Sequence, residues 1–488
     1  MSAKFPSRFV ERIQEILPKA EWDSFFENAT APLSKTIRIA KSTSESRHKS
    51  EIENQKLKIP PSWHLSPTAI PEAFFIERDN QKELPLGKTL EHFSGNIYIA
   101  SLSSLLSVHV LDPQPEEKIL DIAAAPGSKS TFIADRMRNT GTLVVNEPSS
   151  SRSMKLSANL DRMGTENSVL LQNDGTYLNT FFVQEFDRIL LDAPCSSEGF
   201  GRKDSKFFET MWSEKKIFEA AKLQKRLIIS AFEMLAPGGT MVYSTCTSAP
   251  EENEAVVQYL INAFGEHVEM LPIDLKGIPH HTGIEKFETD TFNPDIVKNV
   301  RRIFPHLQNE QWNSELFFLA KIRKTTPLSL PSKKSSPLKS STQILGKNQS
   351  ATVIARLCKH FGWEKNVFEK KVILQHNDAL SITTKPAAQF AVHHSHRRCG
   401  LPLLDKHGNM MTAFAIQYGN QATNNTFTLS EEEKDRWLEG FDIPMTEALS
   451  QSDGTEILVQ YKGFCLGHGK AMNKGKKIKN KLDRDRVF

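Results

Sequence analysis

The stretch that most constrains the fold runs from Lys118 to Lys129 and reads Lys-Ile-Leu-Asp-Ile-Ala-Ala-Ala-Pro-Gly-Ser-Lys. Residues 118–123 predict a buried strand, residues 124–129 a turn of small residues, and residues 130–138 the start of an amphipathic helix. This is the first half of a β–α–β unit, so a ligand is expected at the carboxyl end of the strand. The stretch lacks a Gly-x-Gly-x-x-Gly motif, whose glycines let backbone amides approach a pyrophosphate. A nucleoside without phosphates therefore fits better than a dinucleotide.

The length and the cysteines set further bounds. A chain of 488 residues exceeds what one hydrophobic core organises, so three or four domains are expected. The net charge of +4 is too small to indicate a polyanion partner by itself. Residues 1–18 lack the apolar core of a signal peptide, and no apolar run is long enough for a membrane span, so a cytoplasmic protein is expected. Scattered cysteines speak against a disulfide framework and a zinc site. They are Cys195, Cys246, Cys358, Cys399 and Cys465.

The N-terminal part predicts a small appended module. Residues 5–26 place apolar side chains at helical spacing, and residues 34–59 form a basic and polar stretch. The Pro-rich segment 60–85 cannot be one continuous helix and predicts a connector. The basic residues of the polar stretch are Lys35, Arg38, Lys41, Arg47, Lys49, Lys56 and Lys58.

Alternating strands and helices from residue 95 to residue 324 predict an α/β fold with a doubly wound, parallel sheet. After the first strand, the predicted strands are residues 142–147, 168–174, 186–192, 240–245 and 315–322, and the predicted helices are residues 149–163, 214–235 and 251–264. Residues 325–350 are rich in Ser, Pro and Lys and predict a flexible basic linker to a further domain. Residues 461–488 hold seven Lys and two Arg against two Asp.

Three carboxylates follow predicted strands at one edge of the sheet, namely Glu147, Asp174 and Asp192. A nucleoside offers two ribose hydroxyls and an exocyclic amine, which all donate hydrogen bonds to carboxylates. Glu147 stands where a ribose-binding acid belongs, and Asp174 would reach the adenine amine. The alternative for each is that it only caps the next helix.

Two thiols, Cys195 and Cys246, follow the fourth and fifth predicted strands and are expected over the same cleft. An isolated cysteine is more often an inert small hydrophobe. Two thiols beside an adenosyl site have a specific use, because carbon 5 of a pyrimidine becomes nucleophilic only after a thiolate adds to carbon 6. Asp192 could then supply a proton or hydrogen bond at ring nitrogen 3.

Four motifs occur in a specific order. They are Asp121-Ile-Ala-Ala-Ala-Pro-Gly-Ser-Lys129, Asn146-Glu-Pro-Ser-Ser-Ser-Arg152, Asp192-Ala-Pro-Cys-Ser-Ser-Glu-Gly199 with Arg202-Lys-Asp204, and Ser244-Thr-Cys-Thr247 followed by Pro250-Glu-Glu-Asn-Glu-Ala255. In these motifs the chain resembles the RNA (cytosine-5)-methyltransferases of the NOL1/NOP2/Sun type. Gly467-His-Gly-Lys470 and Gly475-Lys-Lys-Ile-Lys-Asn480 are similar to the end of a PUA-like RNA-binding domain. The chain departs from the family at Arg38-Ile-Ala40, at Ala100-Ser101 and in the late strand Glu315-Leu-Phe-Phe-Leu-Ala320, which lacks the usual Gly before the Phe pair. These departures concern substrate placement.

The resemblance implies a Rossmann-like core that uses S-adenosylmethionine, with Cys246 as the nucleophile and Cys195 assisting release of the methylated base. It implies an N-terminal RNA-binding module and connector (1–84), a methyltransferase catalytic domain (85–325), a basic linker with a small intermediate domain (326–395) and a PUA-like C-terminal RNA-binding domain (396–488). The cofactor contacts that it implies are Ala123, Ala124, Ala125, Pro126, Gly127, Ser128, Lys129, Glu147, Asp174 and Asp192.

The substrate that the resemblance implies is a cytosine of 16S ribosomal RNA within the small ribosomal subunit. Basic appended modules fit a large folded RNA better than a short oligonucleotide. The same chemistry on transfer RNA is an alternative. A further alternative is a non-catalytic RNA-binding assembly factor, against which the presence of both thiols argues.

The sequence His393-His-Ser-His396 with Cys399 offers metal-ligand residue types. Their spacing fits no standard zinc motif, so no metal is expected and a solvated or RNA-facing loop is favoured.

Overall fold

The computed structural model describes residues 5–40, 59–79, 84–330 and 340–483. Part of the predicted basic stretch, residues 41–58, lies outside the described residues, as do residues 331–339 of the predicted linker and residues 484–488.

The N-terminal part consists of two short helices and a four-stranded antiparallel sheet. The helices separate at Leu17, because a residue that precedes proline avoids the helical conformation. The connector interpretation of residues 60–85 is wrong, since this segment supplies two strands of the sheet, whose order is β2-β3-β1-β4. The fourth strand pairs with the first, so the sheet joins residues on both sides of position 84. These elements are α1 (Ser7–Ile16), α2 (Trp22–Asn28), β1 (Thr36–Ile39), β2 (Trp63–Pro67), β3 (Ala73–Arg78), α3 (Leu90–Phe93) and β4 (Ile97–Ile99).

The central part is a sheet of nine strands in the order β10-β14-β9-β8-β5-β6-β7-β18, with β13 paired to β14. Its strands are β5 (Lys118–Asp121), β6 (Thr142–Asn146), β7 (Ser168–Leu171), β8 (Phe186–Asp192), β9 (Leu235–Thr245), β10 (Val268–Leu271), β13 (Arg301–Ile303), β14 (Phe317–Lys324) and β18 (Arg398–Cys399), and a separate hairpin is formed by β11 (Lys286–Phe287) and β12 (Asp290–Thr291). The helices are α4 (Leu102–Leu111), α5 (Ser128–Arg136), α6 (Ser150–Arg162), α7 (Phe207–Thr210), α8 (Glu214–Met234), α9 (Glu254–Phe264) and α10 (Pro294–Asn299).

The predicted doubly wound core is confirmed. Strands β5 to β9 run parallel, and β5 lies between β6 and β8, so the chain order reverses at β5. A crevice above the carboxyl ends of the strands forms at such a switch point. Two differences from the predicted strands matter. The third strand ends at Leu171 rather than residue 174, and the late strand β14 begins at Phe317 and runs antiparallel to β9.

The sheet is buried on both faces, as a parallel sheet requires. Ile189 and Leu191 of β8 pack into one hydrophobic cluster with helix α8, while Leu190 of the same strand packs into a second cluster with helices α4 and α5. Successive side chains of a strand point to opposite faces, so each strand joins both clusters.

The C-terminal part holds two small sheets, in the orders β15-β16-β17-β19 and β20-β22-β23-β24-β21. The first of these sheets is not independent of the central sheet, because the two-residue strand β18, which lies between β17 and β19 in the chain, pairs with β7. The remaining elements are β15 (Thr342–Ile344), α11 (Lys347–Phe361), β16 (Val372–His376), β17 (Ala379–Thr383), α12 (Lys385–His393), β19 (Leu401–Leu404), α13 (Thr412–Tyr418), β20 (Thr426–Thr428), α14 (Glu431–Leu438), β21 (Ile443–Pro444), β22 (Glu456–Tyr461), β23 (Phe464–Met472) and β24 (Lys477–Asn480).

Among the described helices, none has the length and apolar character needed to cross a bilayer.

Candidate active site

A cavity of about 360 Å³ opens above the carboxyl ends of β5, β8 and β9. It brings together most of the residues that the sequence indicates. The predicted residues that line it are Ala123, Ala124, Ala125, Pro126, Ser128, Lys129, Asp192 and Cys246. The other predicted residues are not among the described residues that line the cavity; they are Gly127, Glu147, Asp174 and Cys195.

The small-residue turn forms one wall of the cavity and is fixed from beneath. Gly127 has a φ of +111°, a conformation that favours glycine, and a Cβ there would approach Cδ1 of Leu156 to 3.1 Å. Asp121, at the end of β5, is fully buried and accepts a hydrogen bond of 2.7 Å from the hydroxyl of Ser130. Burial raises the pKa of Asp121 to about 7. These contacts hold the turn in one conformation, so the wall is preformed.

An ion pair crosses the cavity floor. Nζ of Lys129 lies 2.7 Å from Oδ2 of Asp192, and Oδ1 of Asp192 accepts a hydrogen bond of 2.7 Å from Ser244. Burial opposes the charge of Lys129, but the carboxylate of Asp192 outweighs it and raises the pKa of the ammonium. The pair therefore places a fixed positive charge and an oriented carboxylate in the same cavity as the thiol of Cys246.

The two thiols meet at the end of β9. Sγ of Cys195 and Sγ of Cys246 are 3.1 Å apart, and the backbone N–H of Cys246 points at Sγ of Cys195 at 3.4 Å. Cys246 lines the cavity, whereas Cys195 does not. The structure brings the two predicted thiols together, with Cys246 in the cavity wall and Cys195 outside that wall.

The loops that carry the thiols are joined to each other. The N–H of Gly199 donates to the carbonyl of Cys246 at 2.8 Å, and Ser196 donates through its hydroxyl to Thr247 at 3.0 Å. Buried Glu198 accepts hydrogen bonds from both the N–H and the hydroxyl of Ser248. The distance between the thiols is therefore set by a network rather than by one side chain.

The surroundings of Cys195 favour its protonated form. The hydrogen bond to Cys246 and burial raise its pKa well above that of an ordinary thiol. Buried Glu252 accepts hydrogen bonds from the N–H of Ser196 at 2.9 Å and from Gln224 at 2.8 Å. Burial raises the pKa of Glu252 to about 7, so a group that changes charge near neutrality lies under the thiol loop.

The opposite wall contains a second ion pair that the sequence analysis missed as a site. Nζ of Lys203 lies 2.8 Å from Oε1 of Glu315, and the hydroxyl of Ser103 donates to Oε2 of the same carboxylate. Burial disfavours the charge on Glu315, but Lys203 and Ser103 outweigh it and lower the pKa of the carboxyl. The motif Arg202-Lys-Asp204 was a signal for Lys203, whereas Glu315 stood out only as part of the departure from the family in the late strand.

Glu147 lies outside the cavity lining but is buried, with only 1% of its surface exposed. Its Oε1 accepts a hydrogen bond from the N–H of Ser149, and its Oε2 has no hydrogen-bond partner among the described residues. Nη1 of Arg152 lies 3.4 Å from Oε2. Arg152 offsets part of the cost of burying this oxygen, and a ligand hydroxyl would donate the hydrogen bond that it lacks.

Asp174 differs from its predicted role. It follows the end of β7 by three residues, and its side chain accepts hydrogen bonds from the N–H and the hydroxyl of Thr176. The expectation that it stands at a strand end is wrong, because the chain has turned before reaching it. The structure shows the capping alternative, and contact with an adenine amine stays a prediction.

Arg38 also departs from the sequence interpretation. It is fully buried and paired with Asp135 on helix α5, so it contributes nothing to an exposed basic surface. Of the predicted basic stretch, Lys35 is described and exposed.

The histidine cluster near residue 393 is divided between several contacts. Cys399 is buried with Sγ 3.7 Å from the hydroxyl of Thr383, and His396 contacts Thr342. Among the described residues, three side chains with metal-ligand types converge elsewhere, where Glu21 lies 3.1 Å from His281 and 2.8 Å from His306. These contacts connect the N-terminal helices to the loops beside β13.

Similarity to known proteins extends over the whole chain. Residues 108–323 match the family model described as 16S rRNA methyltransferase RsmB/F, and residues 424–488 match the model of the methyltransferase RsmF PUA domain. The chain is 35% identical, over 507 aligned residues, to the ribosomal RNA small subunit methyltransferase F of Enterobacter sp. (strain 638), covering 100% of this chain and 96% of the relative. The corresponding protein of Klebsiella pneumoniae (strain 342) is 34% identical and covers 99% of this chain and 96% of its own length.

A solved structure supports the fold. The methyltransferase homolog protein from Pyrococcus horikoshii superimposes with a TM-score of 0.54 at 31% identity, covering 66% of this chain and 95% of that chain. The resemblance found in the sequence motifs is thereby confirmed, as are the Rossmann-like core and the C-terminal PUA domain. The chain belongs to the family of 16S rRNA methyltransferases RsmB/F.

Proposed function

We propose that this chain transfers a methyl group from S-adenosylmethionine to carbon 5 of a cytosine in 16S ribosomal RNA of the small subunit, and that it acts in the cytoplasm. The names of its relatives support ribosomal RNA of the small subunit as the substrate. The observation that carries the choice of atom is the pair of thiols 3.1 Å apart, with Cys246 in the cavity. Methylation of a base nitrogen or a ribose hydroxyl needs no thiol, whereas attack at carbon 6 does.

The residues present fit the cofactor. The turn from Ala123 to Lys129 leaves room for a ligand above β5, and Glu147 presents a buried oxygen without a hydrogen-bond partner among the described residues. Ribose hydroxyls are donors that such an oxygen would accept. When bound, S-adenosylmethionine supplies a methyl group on a positively charged sulfur. Asp192, with Lys129 fixed to it, would face the reacting end of the cofactor.

Cys246 is the nucleophile of the proposal. Its thiolate adds to carbon 6, and the electron pair that moves onto the ring is stabilised at nitrogen 3 by a proton donated from the Lys129–Asp192 pair. The ion pair of 2.7 Å restricts both side chains before substrate binds. Little reorganisation is then needed when charge develops, which is the source of the rate enhancement.

Cys195 has a later role in the proposal. Its pKa is raised chiefly by its hydrogen bond to Cys246. Once the sulfur of Cys246 is bonded to carbon, its negative charge is gone and that cause disappears. Cys195 can then lose its proton to solvent. After the methyl group has reached carbon 5, the Cys195 thiolate takes the proton from carbon 5, the electron pair of that bond restores the double bond between carbons 5 and 6, and Cys246 leaves carbon 6 as a thiolate. The methylated base is then released, and the proton on nitrogen 3 returns to the Lys129–Asp192 pair.

Bisulfite mapping tests this function. Ribosomal and transfer RNA from cells with the chain, without it, and with the Cys246→Ala variant would be compared. We expect one cytosine of 16S ribosomal RNA to be protected from bisulfite in cells with the unaltered chain, and to lose that protection in cells without the chain and in cells with Cys246→Ala. Loss of a protected cytosine from transfer RNA alone would show that transfer RNA, and not 16S ribosomal RNA, is the substrate. Unchanged protection in all samples would favour an assembly factor without catalysis.

A further inference from the structure

The loop after β8 presents an aromatic ring at the mouth of the cavity. Phe200 lies in a single 3-10 turn, Glu198–Arg202, and its side chain lines the cavity although 43% of its surface is exposed. Among the described residues that are large, apolar and exposed, Phe200 and Ile99 line this cavity and the others do not. Isolated apolar side chains at a surface are common, so the position of this ring is what matters.

The ring is held in place by its neighbours. Gly199 donates to the carbonyl of Cys246, and Lys203 is paired with buried Glu315. Nη1 of Arg202 donates to the carbonyl of Ser314 at 2.7 Å. The ring centroid of Phe207 lies 6.0 Å away in an edge-on arrangement. The loop is thus anchored on both sides of Phe200, and the ring keeps a fixed position relative to the nucleophile without being buried.

The chemistry around the ring fits a nucleobase. Lys203 is about half exposed, and Lys206 in the same loop is exposed. Aromatic rings beside lysines recognise unpaired bases, because the ring stacks on the base while the cations meet the phosphates. A base that reaches Cys246 must leave its helical stack, so it and its neighbours lose stacking partners. We propose that Phe200 stacks on an unpaired base of the substrate RNA at the mouth of the cavity.

This inference rests on the proposed function, and kinetics test it. Small ribosomal subunits from cells lacking the chain would be methylated with labelled S-adenosylmethionine by the wild type and by Phe200→Ala and Phe200→Trp. We expect Phe200→Ala to raise KM for the subunits about tenfold, the effect expected when one base loses the ring on which it stacks. The kcat and the affinity for the cofactor should stay unchanged, and Phe200→Trp should restore KM. Phe218→Ala, in a ring that is 56% exposed on helix α8, is the matched control.

The outcomes separate the two proposals. A wild type that does not methylate the subunits would overturn the proposed function. A Phe200→Ala variant within twofold of the wild type in KM would overturn the stacking role, as would a loss confined to cofactor affinity, which would place the ring against S-adenosylmethionine.

A direct measurement does not depend on turnover. Tryptophan fluorescence of Phe200→Trp would be titrated with oligocytidylate and with an equally long sugar-phosphate chain that lacks bases. We expect quenching beyond that of the wild type with the first and not with the second. Equal quenching by both, or none beyond the wild type, would contradict stacking.

Discussion

The two halves of the carboxyl edge of the central sheet differ in how they use their carboxylates. Above β5, β8 and β9, Asp192 faces an open cavity, paired with Lys129. Above β6 and β7, Glu147 and Asp174 turn towards backbone N–H groups of their own loops. Asp192 is the last residue of its strand, whereas Asp174 comes three residues after β7 has ended. In this sheet Asp192, which ends its strand, therefore faces the cavity, whereas Asp174 caps the turn that follows its strand.

The largest effect should come from the two thiols at the cavity above β5, β8 and β9. Cys246→Ala should lower methylation about a thousandfold or more, because Cys246 is the group that adds to carbon 6 in the proposal. Cys195→Ala should instead accumulate a protein–RNA adduct that survives denaturing gels, since attack needs only Cys246 while release needs both.

The double variant is the control for this pair, and it should behave like Cys246→Ala because the two events lie in series. An adduct that formed without Cys246 and disappeared without Cys195 would reverse the roles and contradict the assignment of Cys246, the thiol in the cavity wall, as nucleophile.

A smaller effect is expected from the ion pair on the cavity floor. Asp192→Asn should lower kcat about a hundredfold, the usual contribution of a positioned acid or hydrogen-bond donor. Lys118→Met is the matched control, because it removes a cation 3.2 Å from Glu185 at the opposite end of β5. Equal activities of the two variants in single-turnover methylation would show that the pair is only structural.

The two carboxylates above β6 and β7 should differ in their contribution to the affinity for S-adenosylmethionine. Glu147→Ala should weaken S-adenosylmethionine binding by about 1–3 kcal/mol, because it removes an acceptor for ribose hydroxyls. Asp174→Ala should change that affinity less than threefold and should instead destabilise the turn that it caps, by about 1 kcal/mol. Calorimetry and urea unfolding of both variants measure the contrast. Equal losses of affinity would mean that Asp174 leaves its cap and contacts the cofactor.

The smallest effect should come from the basic C-terminal part. Cutting the chain before Tyr461 would remove strands β23 and β24, so substitution is the cleaner test. Changing the exposed lysines Lys474, Lys476 and Lys479 to Gln should reduce the slope of log K against log salt by about 0.7–0.9 for each phosphate that the variant no longer neutralises. Cofactor affinity should not change. An unaltered slope in filter binding would place the RNA on another surface.

The central sheet and its cavity could be predicted because local patterns coincide with tertiary structure there. Residues 118–123 are mostly apolar and are followed by small residues, and both thiols follow apolar strands whose carboxyl ends must meet. The family motifs then gave the chemistry. The helix predicted over residues 214–235 is observed as Glu214–Met234, because the following Pro-Gly-Gly ends it.

The failures have physical causes as well. Strands β2 and β3 lie in a Pro-rich segment that resembles a connector, since an antiparallel edge tolerates proline where a helix does not. Arg38 stands in a basic stretch of the sequence, but its partner Asp135 belongs to a helix far along the chain. Glu315 is a cavity residue because Ser103 and Lys203 reach it from distant segments. Contacts of this kind leave no local trace in a sequence.

The pairing of β18 with β7 has a consequence for how the chain folds during synthesis. Strand β7 would otherwise present an open edge, and open edges recruit strands from other molecules. The two residues that cover it, Arg398 and Cys399, leave the ribosome long after the rest of the parallel strands. Helix α12, which packs against β6 and β7, arrives equally late. The half of the sheet that carries Glu147 is therefore exposed to aggregation until the C-terminal third is made. A chain that stops in the linker should be soluble only with a chaperone, even though every residue of the cavity is present.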